Sequence, residues 1–253
     1  MMHVERYGDG PRVIVGYHGW AGTHRDFAAV GRLLPSEWTL YAPDLPGYGA
    51  SPPLEPLTEE SLTRTLIEEL PAVNTAPAVV AGYCSGAILA LLVAEHQPDA
   101  VGRLVLVDPF AYLPLYFRIF TLGDVGRRAY HVTFASSLGR RITDAVLSLR
   151  KTPDTEFTAS FRSVRHSVVL AYLRMFAAVG TPERFRSLAM PVDLCYGEHT
   201  FAAVRRSVGM FRHVWPHARV HSIANAGHLI MLKGAKPLAR ILTNPESPHG
   251  TGA

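Results

Sequence analysis

The stretch Pro77-Ala-Val-Val-Ala-Gly-Tyr-Cys-Ser-Gly-Ala-Ile-Leu-Ala-Leu-Leu92 decides the fold of this chain. A short apolar run meets a glycine-rich turn and then an Ala/Leu-rich segment, which predicts a strand, a sharp turn and a helix. The residue at the centre of such a turn has a strained backbone, so its neighbours two before and two after must lack bulk. Gly82 and Gly86 hold those positions around Cys84, whereas a tyrosine and an alanine hold them around Ser85. The register therefore predicts Cys84, and not Ser85, as a nucleophile.

Four further motifs surround this stretch in a defined order. They are His18-Gly19-Trp20, Pro43–Ser51, Leu104–Pro109 and Gly227-His228. With these motifs the chain, from about Val4 to Leu242, resembles the cap-bearing α/β-hydrolases, in which the usual nucleophile is serine. The resemblance implies an α/β fold, with a mostly parallel central sheet flanked by helices and a helical cap inserted after the sixth strand.

The pattern of strands and helices divides the chain into a core and an insertion. Residues 1–109 and 188–243 alternate apolar, strand-like runs with helical patterns, which predicts a parallel sheet with right-handed crossovers. Residues 110–187 break that alternation and read as mainly helical, so they are assigned to the cap. Residues 244–253 are rich in Pro, Ser, Gly and His, and we expect a flexible tail there.

The first two strands are expected to be neighbours in the sheet. Residues 2–7 and 12–17 alternate or run apolar, and Gly8-Asp9-Gly10-Pro11 separates them. This arrangement predicts a β-hairpin. The second strand of the pair should be a central one that ends at the His18 motif.

Length and composition are those of one globular domain of ordinary size. The chain has 253 residues, of which 48% are hydrophobic and 18% charged. No uncharged apolar stretch of about 18 residues occurs, and the N-terminus lacks a basic segment followed by an apolar one, so we expect neither a membrane span nor a secretory signal. Two cysteines cannot form a disulfide framework, which favours a reducing, cytoplasmic location. We expect no metal and no cofactor.

Positive charge is concentrated in the predicted cap. The whole chain has a formal charge of +4. Residues 110–187 contain twelve Lys or Arg and five Asp or Glu, hence +7, which leaves −3 for the remainder. Such a bias concerns partners and not the fold, and a solvated helical surface is its simplest explanation. No nucleic-acid-binding motif accompanies the charge, so a nucleic-acid partner is not expected.

The resemblance also implies roles for individual residues. Cys84 stands where the family has its nucleophile, at the start of a helix whose backbone N–H groups favour a thiolate. His228 stands where the family has its general base, and a Cys/His pair activates the thiol by proton transfer or as an ion pair. The backbone N–H groups of Trp20 and Ser85 are expected to form the oxyanion hole.

The acidic member of a triad is missing from its usual place. That place is three residues after the glycine that follows the strand at 192–196, and Thr200 occupies it. Two carboxylates are candidates to replace it: Asp108, at the end of the preceding strand, and Glu198, in the same loop as Thr200. We favour Asp108. A Cys/His dyad without an acid is the third alternative, because a thiol depends less on the acid than a serine hydroxyl does.

The sequence therefore predicts an enzyme that acts on an ester or thioester with an apolar acyl part through an acyl-thioester intermediate. Hydrolysis, acyl transfer or cyclisation could follow, because a thioester resists water better than it resists an amine or a second thiol. The basic cap suits an acyl donor carried on coenzyme A or an acyl carrier protein. The alternative is a non-catalytic pseudo-hydrolase that binds an apolar small molecule, which the missing acid favours. Six cap residues are candidates to line the pocket, although we expect at least half of them to pack within the cap instead: Phe110, Tyr112, Leu115, Tyr116, Phe117 and Phe120.

Overall fold

A seven-stranded sheet forms the centre of the molecule. The computed structural model describes residues 1–69, 77–149, 161 and 164–244, so the predicted tail lies outside the described residues from 245 onwards. The spatial order is β1-β3-β2-β4-β5-β6-β7, and all neighbours are parallel except β1 and β3, which confirms the mostly parallel sheet. The strands are Val4–Tyr7 (β1), Arg12–Tyr17 (β2), Trp38–Pro43 (β3), Ala78–Tyr83 (β4), Val101–Val107 (β5), Val192–Gly197 (β6) and Arg219–Ile223 (β7).

The predicted hairpin between the first two strands is wrong. β1 pairs antiparallel with β3, with Val4 opposite Pro43, and β3 pairs parallel with β2. β3 therefore lies between the two strands that residues 8–11 connect. Glycines in a short loop mark a reversal of the chain, but they do not determine which strand takes the neighbouring place in the sheet.

Helices cover both faces of the sheet and occupy the segment between β5 and β6. The insertion follows the fifth strand and not the sixth, since the described part of the chain has four strands before β5. No helix among the described residues combines the length and apolarity needed to cross a bilayer. The α-helices are Ala28–Gly31 (α1), Glu59–Glu68 (α2), Gly86–His96 (α3), Leu115–Arg118 (α4), Gly123–Tyr130 (α5), Ser137–Leu149 (α6), His166–Ala178 (α7), Ala202–Val214 (α8), Ile230–Lys233 (α9) and Ala235–Thr243 (α10). Shorter turns of 3₁₀ helix lie at His24–Phe27, Pro98–Ala100, Ile119–Thr121 and Pro182–Phe185, and a π-helical turn at His131–Ala135.

Apolar side chains fill both sides of the sheet. Every residue of β4 is buried. Successive residues of a strand point to opposite faces, and Val79 and Val80 accordingly belong to different apolar clusters. α3 packs into one cluster through Leu89, and α10 into the other through Leu238. Burial on both faces is typical of parallel strands covered by helices, and it fixes the strand ends from which the functional side chains project.

Two buried polar side chains tie the loops after β2 and β3 together. His18 accepts a hydrogen bond at Nε2 from the Leu45 backbone N–H (3.0 Å), and its Nδ1 lies 2.9 Å from the Gly19 carbonyl oxygen. Because a carbonyl only accepts, Nδ1 carries the proton and the ring is neutral, and burial lowers the pKa of His18 to about 4. Asp44 accepts a hydrogen bond from the His24 backbone N–H (2.8 Å), which joins the loop after β3 to the 3₁₀ turn that follows β2.

A buried cluster of charges lies near the starts of β5, β6 and β7. Asp193 is inaccessible to solvent and accepts hydrogen bonds from Arg103 (2.6 Å), Arg219 (2.7 Å) and His221 (2.6 Å). Burial alone would raise the pKa of Asp193, but the hydrogen bonds from His221 and Arg103 outweigh it, and the pKa is lowered. Arg103 also donates to the Ile241 carbonyl (2.7 Å). The cluster thereby joins three strands to the C-terminal helix.

We expect Asp193→Asn to lower the free energy of unfolding by about 3 to 5 kcal/mol, because it leaves the buried Arg103 without its anionic partner. Urea denaturation at pH 7 measures the change. The matched control is Asp9→Asn, which breaks an exposed ion pair with Arg6 (2.8 Å) and should change the same quantity by at most about 1 kcal/mol. Equally small effects of both substitutions would contradict a stabilising role for the cluster.

Candidate active site

The turn between β4 and α3 has the strained geometry that the sequence predicts. Cys84 has a φ of 55°, in the left-handed region that non-glycine residues rarely adopt. A Cβ on Gly82 would lie 2.3 Å from the Gly86 carbonyl oxygen, and one on Gly86 would lie 2.2 Å from the Tyr17 carbonyl oxygen. Only glycine fits at these two positions, which fixes the register with Cys84 at the centre.

The Cys84 side chain faces a histidine–aspartate pair. The thiol and the His228 ring share a hydrogen bond. On the other side of the ring, Nδ1 of His228 donates to Oδ2 of Asp108 at 2.7 Å. His228 is only 4% exposed and Asp108 is fully buried. The residues come from the ends of β4 and β5 and from the loop after β7, and the structure thus brings together the predicted Cys84, His228 and Asp108.

The Asp108 carboxylate is held by further donors. Asp108 has a φ of 48°, and its backbone N–H donates to the Cys195 carbonyl (2.7 Å). Its Oδ1 accepts from the Gly197 backbone N–H (2.9 Å), and its Oδ2 accepts from the Thr200 hydroxyl as well as from His228. Thr200 thus occupies the position where the family usually has its acid. Its hydroxyl donates a hydrogen bond to the Asp108 carboxylate, which contacts His228 from the neighbouring strand end. Sequence reasoning considered Thr200 only for its missing charge and overlooked its hydroxyl as a donor.

Glu198 lies apart from this group. Its side chain is 50% exposed, and its Oε2 accepts a hydrogen bond from the Asn225 backbone N–H (2.9 Å). The same carboxylate is 3.7 Å from the exposed ring of His199. The structure therefore does not bring the alternative acid to His228.

The loop after β2 and the start of α3 each place one candidate backbone donor, that of Trp20 and that of Ser85, beside Cys84 in the cavity wall. Gly19 packs so closely that a Cβ on it would lie 3.0 Å from the Cβ of Cys84. Within the described residues, neither the Trp20 nor the Ser85 backbone N–H donates a hydrogen bond to another backbone group. Open N–H groups beside a nucleophile are what an oxyanion hole requires, as predicted for these two residues. The Trp20 ring is a wall of the site and packs against Phe161, with centroids 5.0 Å apart.

A cavity of about 780 Å³ lies between this edge of the sheet and the inserted helices. Its lining is mainly aromatic and aliphatic, which is typical of a small-molecule site. Leu115 does not line it as predicted, because its side chain points to solvent and is 81% exposed. One carboxylate, that of Asp26, also lines the cavity, and no sequence pattern had singled it out. The other predicted cap residues all line it: Phe110, Tyr112, Tyr116, Phe117 and Phe120.

Possible metal ligands are grouped outside this cavity. Among the residues that the structure describes, His3, Glu5 and His24 bring three ligand-type atoms within 4.8 Å of one another. None of these side chains lines the cavity. Nδ1 of His24 is already engaged by Oδ1 of Asp44 at 2.8 Å.

Comparison with known proteins agrees with the fold and with the motifs. A family model described as "Alpha/beta hydrolase family" matches residues 13–241. The chain belongs to the alpha/beta hydrolase family.

Named relatives are similar to parts of this alpha/beta hydrolase. Lipase LipV of Mycobacterium tuberculosis is 37% identical over 109 residues, which cover 43% of this chain and 41% of the lipase. A pimeloyl-[acyl-carrier protein] methyl ester esterase of Chromobacterium violaceum is 34% identical over 137 residues, which cover 54% of this chain and 51% of the esterase. The chain thus spans about half the length of these two relatives. A thermophilic esterase from Thermogutta terrifontis shares the fold, with a TM-score of 0.76 at 19% identity and coverage of 96% of this chain and 91% of the esterase.

The charge of His228 in this alpha/beta hydrolase follows from its neighbours. Burial alone would lower the pKa of the ring, but the charge of Cys84 and the hydrogen bonds to Asp108 and Cys84 outweigh it and raise the pKa to about 10. His228 is therefore protonated at neutral pH when it faces a Cys84 thiolate. Of the two expected modes of activation, this corresponds to the ion pair.

The arrangement leads to a prediction about the acid. Asp108→Asn should lower kcat for a p-nitrophenyl ester by on the order of a hundredfold or more, because an amide neither stabilises the imidazolium nor selects the tautomer that faces Cys84. Glu198→Gln is the matched control and should change kcat little, since that side chain is half exposed and bonds to the Asn225 backbone N–H. Circular dichroism verifies that both variants are folded.

Two other outcomes would favour the alternatives for the acid. The reverse ranking would move the role to Glu198, and two small effects would indicate a Cys/His dyad. Thr200→Asp added to Asp108→Asn returns a carboxylate to the family's usual place. Partial recovery of kcat is expected there, because the Thr200 side chain already contacts Oδ2 of Asp108.

Proposed function

We propose that this alpha/beta hydrolase is a cysteine-dependent esterase or thioesterase that forms an acyl-thioester on Cys84. The observation that carries the proposal is the contact of Cys84 with a buried His228 that donates to Asp108 at 2.7 Å. Nucleophile, base and orienting acid in this order are the arrangement of nucleophilic acyl transfer. The esterase and lipase names of the relatives support the same reaction class.

The proposed first half-reaction forms the acyl-enzyme. The Cys84 thiolate attacks the acyl carbon and forms a C–S bond, while the carbonyl electron pair moves onto oxygen. The backbone N–H groups of Trp20 and Ser85 stabilise this oxyanion. Its collapse breaks the bond to the leaving alkoxide or thiolate, which takes the proton of the His228 imidazolium.

The proposed second half-reaction releases the acyl group. Water, or another acceptor, gives a proton to the now neutral His228 and attacks the acyl carbon. The C–S bond breaks, and the Cys84 thiolate and His228 imidazolium are restored. Hydrolysis, acyl transfer and cyclisation differ only in the acceptor. This chemistry needs a reduced Cys84, which suits the reducing environment of the cytoplasm.

The cavity supports an acyl part that is mainly apolar. It encloses about 780 Å³, and rings such as those of Phe117 and Phe120 form its walls. We propose that residues 110–187 act as the cap of this site, because helices α4, α6 and α7 of this segment contribute lining residues. An apolar wall offers few hydrogen bonds, so selection would depend on the size and shape of the acyl group.

One observation favours the alternative of a pseudo-hydrolase that binds an apolar molecule without turnover. The family's acid position carries Thr200, which cannot bear a negative charge. Against it stands the buried Asp108, which contacts the His228 ring from a neighbouring strand end. An acid in contact with the base supports turnover over simple binding.

Trapping of the acyl-enzyme tests the proposed function. We expect intact-mass spectrometry with activated esters and acyl thioesters to show one acyl adduct, located on Cys84. Cys195 should stay unmodified, because it has no exposed surface and burial raises the pKa of its thiol. Cys84→Ala should lose both the adduct and turnover, and Cys84→Ser should turn over poorly. A panel without any adduct, or full activity of Cys84→Ala, would contradict the proposal and favour the pseudo-hydrolase.

We also propose that the acyl donor is a thioester carried on coenzyme A or an acyl carrier protein. The cap is the basic part of the chain, with a net charge of +7 over residues 110–187. Arg128 and Arg141 are exposed on it. The relative from Chromobacterium violaceum is named for an acyl-carrier-protein ester, which supports a carrier-bound donor. Positive charge would steer such an anionic donor to the mouth of the cavity.

Salt dependence tests the carrier-bound donor. Steering is screened over about 8 to 10 Å at physiological ionic strength, so kcat/KM for an acyl–coenzyme A or acyl-carrier substrate should fall steeply as salt rises. A small neutral ester should be almost indifferent. The double variant Arg128→Glu/Arg141→Glu should lower kcat/KM for the anionic donor without lowering kcat. Arg32→Glu, at an exposed arginine outside the cap, should leave kcat/KM unchanged. Equal effects on neutral and anionic donors would show that the cap charge has no role in substrate encounter.

A further inference from the structure

Asp26 places a carboxylate in the wall of the cavity that contains Cys84 and His228. It belongs to the 3₁₀ turn His24–Phe27. This turn follows the loop after β2, which carries Trp20, one of the two candidates for the oxyanion hole. Its Oδ2 packs against that loop, because a Cβ on Gly22 would lie only 2.1 Å from this oxygen. A glycine at this position thus leaves the room that the carboxylate occupies.

The same loop connects the carboxylate to the reacting thiol. The Gly22 backbone N–H donates to the Gly19 carbonyl (3.0 Å), and Gly19 packs directly against Cys84. His228 is among the charges that act on Asp26. The carboxylate therefore lies on the side of the cavity where the thiol and the base meet.

Among the residues that the structure describes, no lysine or arginine forms an ion pair with Asp26. The charged groups with the largest influence on it are His228, His24 and Asp44. Burial is the largest influence and raises the pKa of Asp26 to about 7, although the nearby Gly19 N–H and His228 oppose this.

A ligand can supply a positive charge that pairs with the Asp26 carboxylate. A carboxylate in a mainly apolar cavity is unfavourable unless it is paired and hydrogen-bonded. A protonated amine provides both a positive charge and N–H donors, whereas a negatively charged acyl group would be repelled. The acyl-thioester on Cys84 also reacts more readily with an amine than with water.

We propose that Asp26 forms an acceptor subsite that binds the amine of a second substrate, to which the enzyme transfers the acyl group. The inference rests on the acyl-enzyme proposed above and names its acceptor: a small molecule with a primary amine on an apolar body. Asp26 contacts this substrate directly, and the reaction becomes amide formation.

The transfer balances with the groups present. The Asp26 carboxylate takes one proton from the bound ammonium and leaves a neutral amine. The amine nitrogen attacks the acyl carbon and forms the C–N bond, and the oxyanion forms against the Trp20 and Ser85 N–H groups. Its collapse breaks the C–S bond and frees the Cys84 thiolate, while His228 accepts the second proton from nitrogen. Asp26 then releases its proton to water.

A competition between acceptors tests the subsite. The enzyme is supplied with p-nitrophenyl butyrate and with either 2-phenylethylamine or the uncharged analogue 2-phenylethanol, and amide, ester and butyric acid are quantified by mass spectrometry. Asp26→Asn should lower the ratio of amide to butyric acid by at least about tenfold. This is the change in affinity expected when a hydrogen bond to a charged group is lost. This ratio cancels any change in the rate of acylation. The ratio of ester to acid should change little. Glu198→Gln, at an exposed carboxylate that does not line the cavity, should change neither ratio. Asp26→Ser repeats the test if the asparagine variant does not fold.

The outcomes separate this inference from the function on which it rests. Absence of any acyl-enzyme in the wild type would overturn the proposed function. An acyl-enzyme that yields no amide, or an amide-to-acid ratio unaffected by Asp26→Asn, would overturn the acceptor subsite alone. Equal losses of amide and ester would show that Asp26 acts on any acceptor, and would overturn the amine specificity.

Discussion

The position of the Asp108 carboxylate is the constraint on which the candidate site depends. Three donors converge on its two oxygens: the His228 ring, the Thr200 hydroxyl and the Gly197 backbone N–H. Asp108 is fully buried, and a buried polar group is costly unless it is hydrogen-bonded, so these donors stabilise its position. The left-handed backbone at Asp108 turns the chain out of β5 at the point where these donors lie. His228, fixed through Nδ1, then presents its other ring nitrogen to Cys84.

Two neighbouring strands of the sheet end in the same way. Cys84 and Asp108 leave β4 and β5 with φ values of 55° and 48°, and each donates its backbone N–H to the next strand. Cys84 bonds to the Val107 carbonyl (2.8 Å), and Asp108 to the Cys195 carbonyl (2.7 Å). The ladder thus extends one residue beyond each strand before the chain turns. Strain of about 1 to 3 kcal/mol at such a residue persists only where the surroundings impose it, as strands buried on both faces do here.

Local rules predicted part of this arrangement from the sequence. Cys84 followed from the steric demand for glycine on either side of it, and His228 from a motif of adjacent residues. The acid depended on contacts between distant parts of the chain, because Asp108 meets Thr200 only once β5 and β6 pair, and so two candidates remained open. The predicted pairing of β1 with β2 was wrong for the same reason, because β3, which follows both in the chain, lies between them in the sheet. Asp26 carried no signal, because its importance arises only when the loop after β2 folds over the cavity.

The charge of Cys84 links the two halves of the proposed reaction. A negative charge on Cys84 raises the pKa of His228, so in the proposed ion pair the imidazolium can protonate the leaving group. Acylation would remove that charge and with it one of the influences that raise the pKa of His228, which favours the neutral ring that the second half-reaction uses as a base. The imidazolium is also one of the influences that lower the pKa of Asp26. The imidazolium thus favours the charged form of Asp26, which is the form that the proposed subsite needs in order to bind a protonated amine.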